Sequence, residues 1–158
     1  MRGERNVWLV RLAMAGAVLA AIVGAAVLLN ESAAGASGPQ PIAWDKEACT
    51  ECHMHISAAR YAAQLITDTG EARSFDDPGC MLSYLAREKT AVQTLYFHHE
   101  KADRWLSAPQ VAFVTLPGSP MGYDLGAVDV GTAGALTLAD AKARVAARVA
   151  QAQAGGMR

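Results

Sequence analysis

The sequence predicts an α+β domain made of two strand-strand-helix units that follow an N-terminal transmembrane or signal helix. Three observations lead to this prediction. Short runs rich in β-branched and aromatic residues alternate with turn residues through the middle of the 158-residue chain. Two segments have helical patterns, near residues 78–88 and 136–152, and each follows a pair of strand-like runs. Before all of these lies an uncharged apolar run, residues 12–29.

Residues 1–30 are predicted to form a signal anchor. Arg2, Arg5 and Arg11 precede the apolar run, which as a helix would be about 27 Å long, close to the hydrocarbon thickness of a bilayer. A positive flank stays in the cytoplasm, so the chain after the run is expected to lie across the membrane. Ala34-Gly35-Ala36 resembles a signal cleavage site, which leaves a cleaved form as an alternative.

The remaining chain is predicted to contain a linker, one domain and a tail. Residues 31–41 are small and polar without periodicity, which is typical of a flexible linker. The domain is expected over residues 42–152 and the tail over 153–158. A domain of this length can still bury a modest core.

The elements of the domain can be assigned in chain order. Strand-like runs occupy residues 61–67, 71–76, 91–97, 111–116 and 125–130. The first two flank Asp68-Thr69-Gly70, which predicts a β-hairpin. Asp76-Asp77-Pro78 predicts a helix start with an aspartate cap, and the helix is expected to end near Glu88. The segment 136–152 has apolar residues at helical spacing and predicts the last helix.

The decapeptide 47–56 concentrates the ligand-bearing side chains. It contains Cys49, Cys52, His53, Met54 and His55. Thiolate, thioether and imidazole suit copper, above all Cu(I), whereas magnesium and calcium sites use oxygen ligands. The stretch therefore predicts a soft-metal site. If Cys52 to Ile56 is extended, Cys52 and Met54 share one face about 7 Å apart, and the two histidines point to the other.

The same letters allow two other interpretations. Cys49-Thr50-Glu51-Cys52-His53 is a C-x-x-C-H string, the attachment signature of c-type haem, with Met121 as a plausible distal ligand. A small membrane-anchored cytochrome c would, however, be mostly helical, whereas the runs 61–67, 91–97 and 111–116 are strand-like and rich in β-branched and aromatic residues. Alternatively, Cys49 and Cys52 form a disulfide in an assembly module without metal, and the methionines are core filler.

The remaining candidates for chemistry have structural interpretations. Cys80 is expected to be a small apolar residue buried in the first helix. Asp76 and Asp77 stand directly before a proline, so helix capping explains them better than acid–base catalysis. The chain contains no nucleophile–base arrangement and no phosphate-binding glycine loop, and we therefore predict that it is not an enzyme.

The charge of the chain excludes one class of partner. The formal net charge is −1, the isoelectric point is about 6.4, and no run rich in lysine or arginine follows residue 11. Proteins that bind nucleic acid need a basic surface to neutralise phosphates. We therefore predict no nucleic-acid partner.

A longer pattern extends from the decapeptide to the C-terminal helix. Its residues are, in order, Cys49-x-x-Cys52-x-Met54, Tyr61, Phe75-Asp76-Asp77, Cys80, Tyr84, Trp105, Ala108, Val111-Ala112-Phe113-Val114 and Pro120-Met121-Gly122. In this order they resemble the NosL family of nitrous-oxide-reductase accessory proteins. The pattern departs from the family at His53, where the family usually has glycine, and in lacking a lipoprotein cysteine after the apolar run.

The resemblance implies a copper protein attached to the periplasmic side of the bacterial inner membrane. Such a protein binds Cu(I) and serves as a metallochaperone in denitrification, where its client is nitrous oxide reductase or a related copper enzyme. The resemblance places the copper ligands at Cys52, Met54 and Met121. Cys49, His53 and His55 are then candidates for additional metal or redox roles.

Overall fold

The computed structural model describes residues 38–155 and four isolated helical positions before them, Met14, Gly16, Val18 and Gly24. The chain divides into two units, Met1–Gly35 and Ala36–Arg158, and the α+β domain belongs to the second. Within the described residues, no helix combines the length and apolar character that crossing a bilayer requires. Apart from those four positions, the predicted signal anchor lies outside the described residues, as do most of the predicted linker and the last three residues of the tail.

The described domain is α+β, as predicted, with two antiparallel sheets and two helices. The first sheet has the strand order β2-β1-β3-β4 and contains β1 (Ala63–Thr67), β2 (Ala72–Phe75), β3 (Val92–His98) and β4 (Trp105–Ser107). The second sheet has the order β6-β5-β7 and contains β5 (Val111–Thr115), β6 (Leu125–Asp129) and β7 (Leu136–Thr137). The helices are α1 (Pro78–Arg87) and α2 (Leu138–Gly155).

The strands and helices predicted for the domain are all present within a few residues of their expected ends. β1 and β2 form the predicted antiparallel hairpin, in which Ala63 pairs with Phe75. Two strands precede α1 in the first half, and β5 and β6 precede α2 in the second. β4 and β7 were not predicted, because runs of three and two residues are too short to show a strand pattern. Helix α2 continues to Gly155, three residues beyond the expected start of the tail.

Helix α1 begins as the sequence predicts. Asp77 has extended backbone and its side chain accepts a hydrogen bond of 2.7 Å from the N–H of Gly79, while Pro78 occupies the first turn. A side-chain acceptor at this position satisfies one of the N–H groups that have no partner within a helix. The first seven residues of α1 are all buried, so the start of the helix is fixed inside the protein.

One hydrophobic core joins the two sheets and both helices. Phe97 on β3 and Phe113 on β5 are fully buried, and their rings meet edge to face with centroids 5.0 Å apart. Cys49 and Cys80 belong to the same cluster of buried residues. Protein interiors are close-packed, so these two sulfur atoms are held by their neighbours on most sides.

Candidate metal centre

Residues 49–54 form a tight turn that places two cysteines side by side. The N–H of His53 donates to the carbonyl of Cys49 at 3.0 Å, and the N–H of Cys49 donates to the carbonyl of Met54 at 2.8 Å. His53 has a φ of +61°, a left-handed conformation that residues other than glycine seldom adopt. The prediction that Cys52 to Ile56 is extended is therefore wrong at His53, because the chain reverses there.

Three contacts hold this turn against the first sheet and α1. The N–H of Thr50 donates to the carbonyl of Ser74 on β2 at 3.0 Å. The carboxylate of Glu51 accepts a hydrogen bond of 2.9 Å from the hydroxyl of Ser83 and pairs with Arg87, both on α1. The turn is therefore fixed relative to the helix that carries the third cysteine.

The sulfur atoms of Cys49, Cys52 and Cys80 form a cluster, with each Sγ within 4.8 Å of the other two. Cys80 lies in the first turn of α1, and its burial is as predicted. Cys80 was expected to have only an apolar role, and its position beside the sulfurs of Cys49 and Cys52 was not predicted. An ion bonded to three thiolates at about 2.3 Å separates the sulfurs by about 4 Å. The cluster could therefore hold a metal ion after small adjustments.

The three thiols differ in how readily they ionise. The interaction with the neighbouring Cys80 thiol, assisted by backbone N–H groups that include that of Asp76, lowers the pKa of Cys49 to about 5 against the effect of burial. The same interaction raises the pKa of Cys80, and burial raises that of Cys52. Because the thiolate is the form that binds metal, Cys49 is prepared as the first ligand.

Asp76 is a buried carboxylate without a partner beside this cluster. Its side chain is 1% exposed, and neither carboxylate oxygen accepts a hydrogen bond. Burial, with the nearby charges of Cys49 and Asp77, raises its pKa to about 6. The carboxylate is outside the set of ligand atoms that share the 4.8 Å spacing. Of the two aspartates expected to cap α1, only Asp77 does so.

Asp77 connects the start of α1 to the loop that carries Met121. One carboxylate oxygen caps the helix, and the other accepts a hydrogen bond of 3.3 Å from the N–H of Met121. The ring of Tyr123 packs against Gly79, where an added Cβ would lie 2.0 Å from the ring carbon Cγ. The Pro120-Met121-Gly122 loop thus docks on the turn of α1 that carries Cys80.

Arg148 on α2 holds the same loop from its other side. Its guanidinium donates to the carbonyls of Gly122, at 2.6 Å, and Met121, at 3.4 Å. The guanidinium carbon also lies 4.5 Å from the centroid of the Tyr123 ring, in a cation–π contact. Hydrogen bonds with Asp77 and Arg148 therefore hold the backbone of Met121 and Gly122 in place.

The structure distributes the predicted site residues between a buried and an exposed group. Cys49 and Cys52 lie in the sulfur cluster, whereas His53, Met54 and His55 are exposed on the turn. Met54 is 47% exposed and Met121 is 36% exposed, and their role as ligands remains a prediction. Sequence reasoning missed Cys80 and Asp76. Both residues belong to the longer motif pattern that extends from the decapeptide to the C-terminal helix, and that pattern is the signal that could have identified them.

Replacing Asp77 with alanine should lower the free energy of unfolding by about 2 kcal/mol, since the variant loses a helix cap and leaves the N–H of Met121 without its acceptor. Denaturant unfolding of the reduced protein measures this change. Asp68→Ala, at an exposed aspartate in the β1–β2 turn, is the matched control and should change stability by less than about 0.5 kcal/mol. Equal stability of the two variants would contradict the role of Asp77.

The chain was compared with protein-family models, curated proteins and solved structures. None was found to match. Its functional assignment therefore depends on the residues of the site and on the motif pattern in the sequence.

Proposed function

We propose that this protein is a Cu(I)-binding metallochaperone of the NosL type, anchored at the periplasmic side of the inner membrane. The observation that supports this proposal most strongly is the cluster of Cys49, Cys52 and Cys80, which brings all three cysteines of the chain within 4.8 Å of one another. Thiolates are soft ligands that favour Cu(I) over hard divalent ions.

The exposure of the ligands fits a carrier that must release its ion. Cys49 and Cys80 are buried, Cys52 is partly exposed, and Met54 and Met121 face solvent. Thioethers are neutral and need no deprotonation, so an ion bound in part by methionine can pass to an acceptor with stronger ligands. We propose that Cys52, with Met54 and Met121, forms the outer edge of the site, where copper enters and leaves.

The alternative of a c-type cytochrome is disfavoured by the burial of Cys49. Haem attachment would link Cys49 and Cys52 to a porphyrin, yet Cys49 is fully buried in the core and its sulfur lies within 4.8 Å of that of Cys80. The α+β architecture also differs from the mostly helical fold expected of a small cytochrome c.

A disulfide-stapled module is the other alternative. All three cysteines are free in the structure. A Cys49–Cys52 disulfide would use two of the three sulfurs in the cluster and leave Cys80 alone beside them. We therefore assign the metal-binding role to the reduced protein, and an oxidised form would be inactive in copper binding.

The client follows from the resemblance alone. We propose that the protein delivers copper to nitrous oxide reductase or to a related periplasmic copper enzyme, without catalysing a reaction of its own. The proposal predicts copper transfer from the loaded protein to the metal-free client when the two are mixed.

Replacing Met121 with alanine should weaken Cu(I) binding about tenfold, or about 1.4 kcal/mol, while leaving the fold intact. The physical reason is the loss of one thioether from the outer edge of the site. Competition with a chromophoric Cu(I) chelator under anaerobic conditions measures the affinity. Val130→Ala, at another exposed apolar residue, is the control and should bind like the unchanged protein. Unchanged affinity in Met121→Ala would remove Met121 from the ligand set.

A further inference from the structure

Two arginines on α2 line a small cavity at the surface of the domain. Arg144 and Arg148 are four residues apart, so their side chains lie on one face of the helix. With the ring of Tyr123 they line a cavity of about 360 Å³, whose walls include the buried residues Leu125 and Val145. Among the described residues, none that lines this cavity is acidic. The cavity is therefore a recess with apolar walls and two positive charges.

The charges of these two arginines are not balanced by the described part of the chain. The arginine side chains that form ion pairs within residues 38–155 are Arg73, Arg87 and Arg104. The acidic residue nearest in sequence, Asp140, accepts hydrogen bonds from Thr137 at the start of the helix. Like charges one helical turn apart repel each other, so an anion bound between them would be stabilised by both.

The two guanidinium groups also keep most of their hydrogen-bond donors for such an anion. Arg148 uses two of its five N–H donors on the carbonyls of Gly122 and Met121, which leaves three. Arg144 is exposed and takes part in none of the side-chain hydrogen bonds within residues 38–155. A planar guanidinium can bind both oxygens of a carboxylate at once. The cavity therefore suits a carboxylate.

The cavity lies next to the outer edge of the proposed copper site. Arg148 holds the backbone of Met121, an exposed residue that is proposed as an outer ligand. A protein that inserts an acidic side chain between the arginines would therefore be brought to the place where copper leaves. A lipid surface is a poorer match, because the exposed uncharged residues of α2 are alanine, glutamine and glycine, whereas helices that enter a membrane interface present large apolar residues.

We propose that Arg144 and Arg148 bind an aspartate or glutamate side chain of the protein that receives the copper. This inference rests on the proposed function and adds a docking surface to it. The recipient places its carboxylate in the cavity and its copper ligands beside Met121. Arg148 also holds the Met121 backbone, so Arg144 is the residue whose replacement affects docking alone.

Tetraglutamate, added to the reduced, metal-free full-length protein, tests the site without copper. In NMR spectra of the unchanged protein, the side-chain N–H signals of Arg144 and Arg148 should shift, and uncharged tetraglutamine should leave them in place. Arg144→Gln should weaken tetraglutamate binding about fivefold, since it removes one exposed charge pair. Circular dichroism checks that the variant is folded.

Arg60→Gln is the matched control. Arg60 is exposed and its guanidinium carbon also lies near a tyrosine ring, 5.2 Å from the centroid of Tyr61, but it does not line the cavity. This variant should bind tetraglutamate like the unchanged protein.

Copper transfer to metal-free nitrous oxide reductase, the proposed client, tests the docking role. Arg144→Gln should bind Cu(I) like the unchanged protein but transfer it about fivefold more slowly at low salt. Added salt should slow transfer from the unchanged protein more than from the variant, because salt screens the charge pair that the variant lacks. Arg60→Gln should transfer copper at the unchanged rate.

The inference is overturned if tetraglutamate shifts neither arginine signal, if it binds Arg144→Gln as tightly as the unchanged protein, or if only inorganic phosphate or vesicles of anionic phospholipid shift those signals. Equal transfer rates from Arg144→Gln and the unchanged protein at every salt concentration would also overturn it. Tetraglutamate binding at the arginines in a protein that binds no Cu(I), by contrast, would defeat the proposed function and leave the carboxylate site in place.

Discussion

Replacing Cys80 with serine should lower Cu(I) affinity by about a hundredfold or more, equivalent to ~2.7 kcal/mol. The variant removes one of three clustered sulfurs and introduces a hard hydroxyl, which is a poor ligand for Cu(I). It also removes the neighbouring thiol that lowers the pKa of Cys49, so the thiolate form of Cys49 becomes less favourable. Competition with a Cu(I) chelator at fixed pH measures the loss.

Met81→Leu provides the control for Cys80→Ser. Met81 is the next residue of α1, is fully buried, and can be replaced by leucine at nearly constant volume. This variant should retain Cu(I) affinity within about twofold, since it changes packing in the same helix turn but no sulfur of the cluster. Full affinity in Cys80→Ser would restrict the copper ligands to the set implied by the resemblance, Cys52, Met54 and Met121.

Asp76→Asn should change how the stability of the metal-free protein depends on pH. The pKa of Asp76 is about 6 in the folded protein and 3.8 ordinarily, so the folded state binds the proton more tightly. The stabilising effect of that proton is complete below pH 3.8 and is lost as the pH rises through 6. A shift of this size corresponds to about 2–3 kcal/mol in the free energy of unfolding. The unchanged protein loses this stability as the pH rises, whereas Asp76→Asn, which cannot ionise at this position, does not.

Unfolding curves at pH 4 and pH 8 test this expectation on the reduced, metal-free protein. The stability of Asp76→Asn relative to the unchanged protein should rise by about 2–3 kcal/mol between these two pH values. Costs of burying the amide that do not depend on pH cancel in this comparison. Asp68→Asn should show no such rise, since Asp68 is exposed. If the difference in stability between Asp76→Asn and the unchanged protein is the same at pH 4 and pH 8, burial does not raise the pKa of Asp76.

The fold was largely predictable because its main elements have strong local signals. The hairpin of β1 and β2 follows from two strand-like runs around Gly70, and α1 follows from Asp77 and Pro78 at its start. β4 and β7 have no such signal. They become strands only because β3 and β5 offer them hydrogen-bonding edges, which is information from the tertiary structure.

The site was predictable only where its residues are neighbours in sequence. Cys49 and Cys52 are three residues apart and stand out at once, whereas Cys80 joins them through the packing of α1 against the turn. The chain reversal at His53 was not predicted because histidine adopts positive φ far less readily than glycine does. The unpaired state of Asp76 depends on what surrounds it, which no local pattern reveals.

X-ray absorption at the copper edge, on the reduced full-length protein loaded with one equivalent of Cu(I), tests the central claim most directly. The proposed site predicts a Cu(I) ion whose first shell contains sulfur atoms only, and it predicts that the partly exposed thiol of Cys52 becomes protected from alkylation when copper binds. A first shell of nitrogen and oxygen, with Cys52 still open to alkylation, would contradict the cysteine cluster as the copper site.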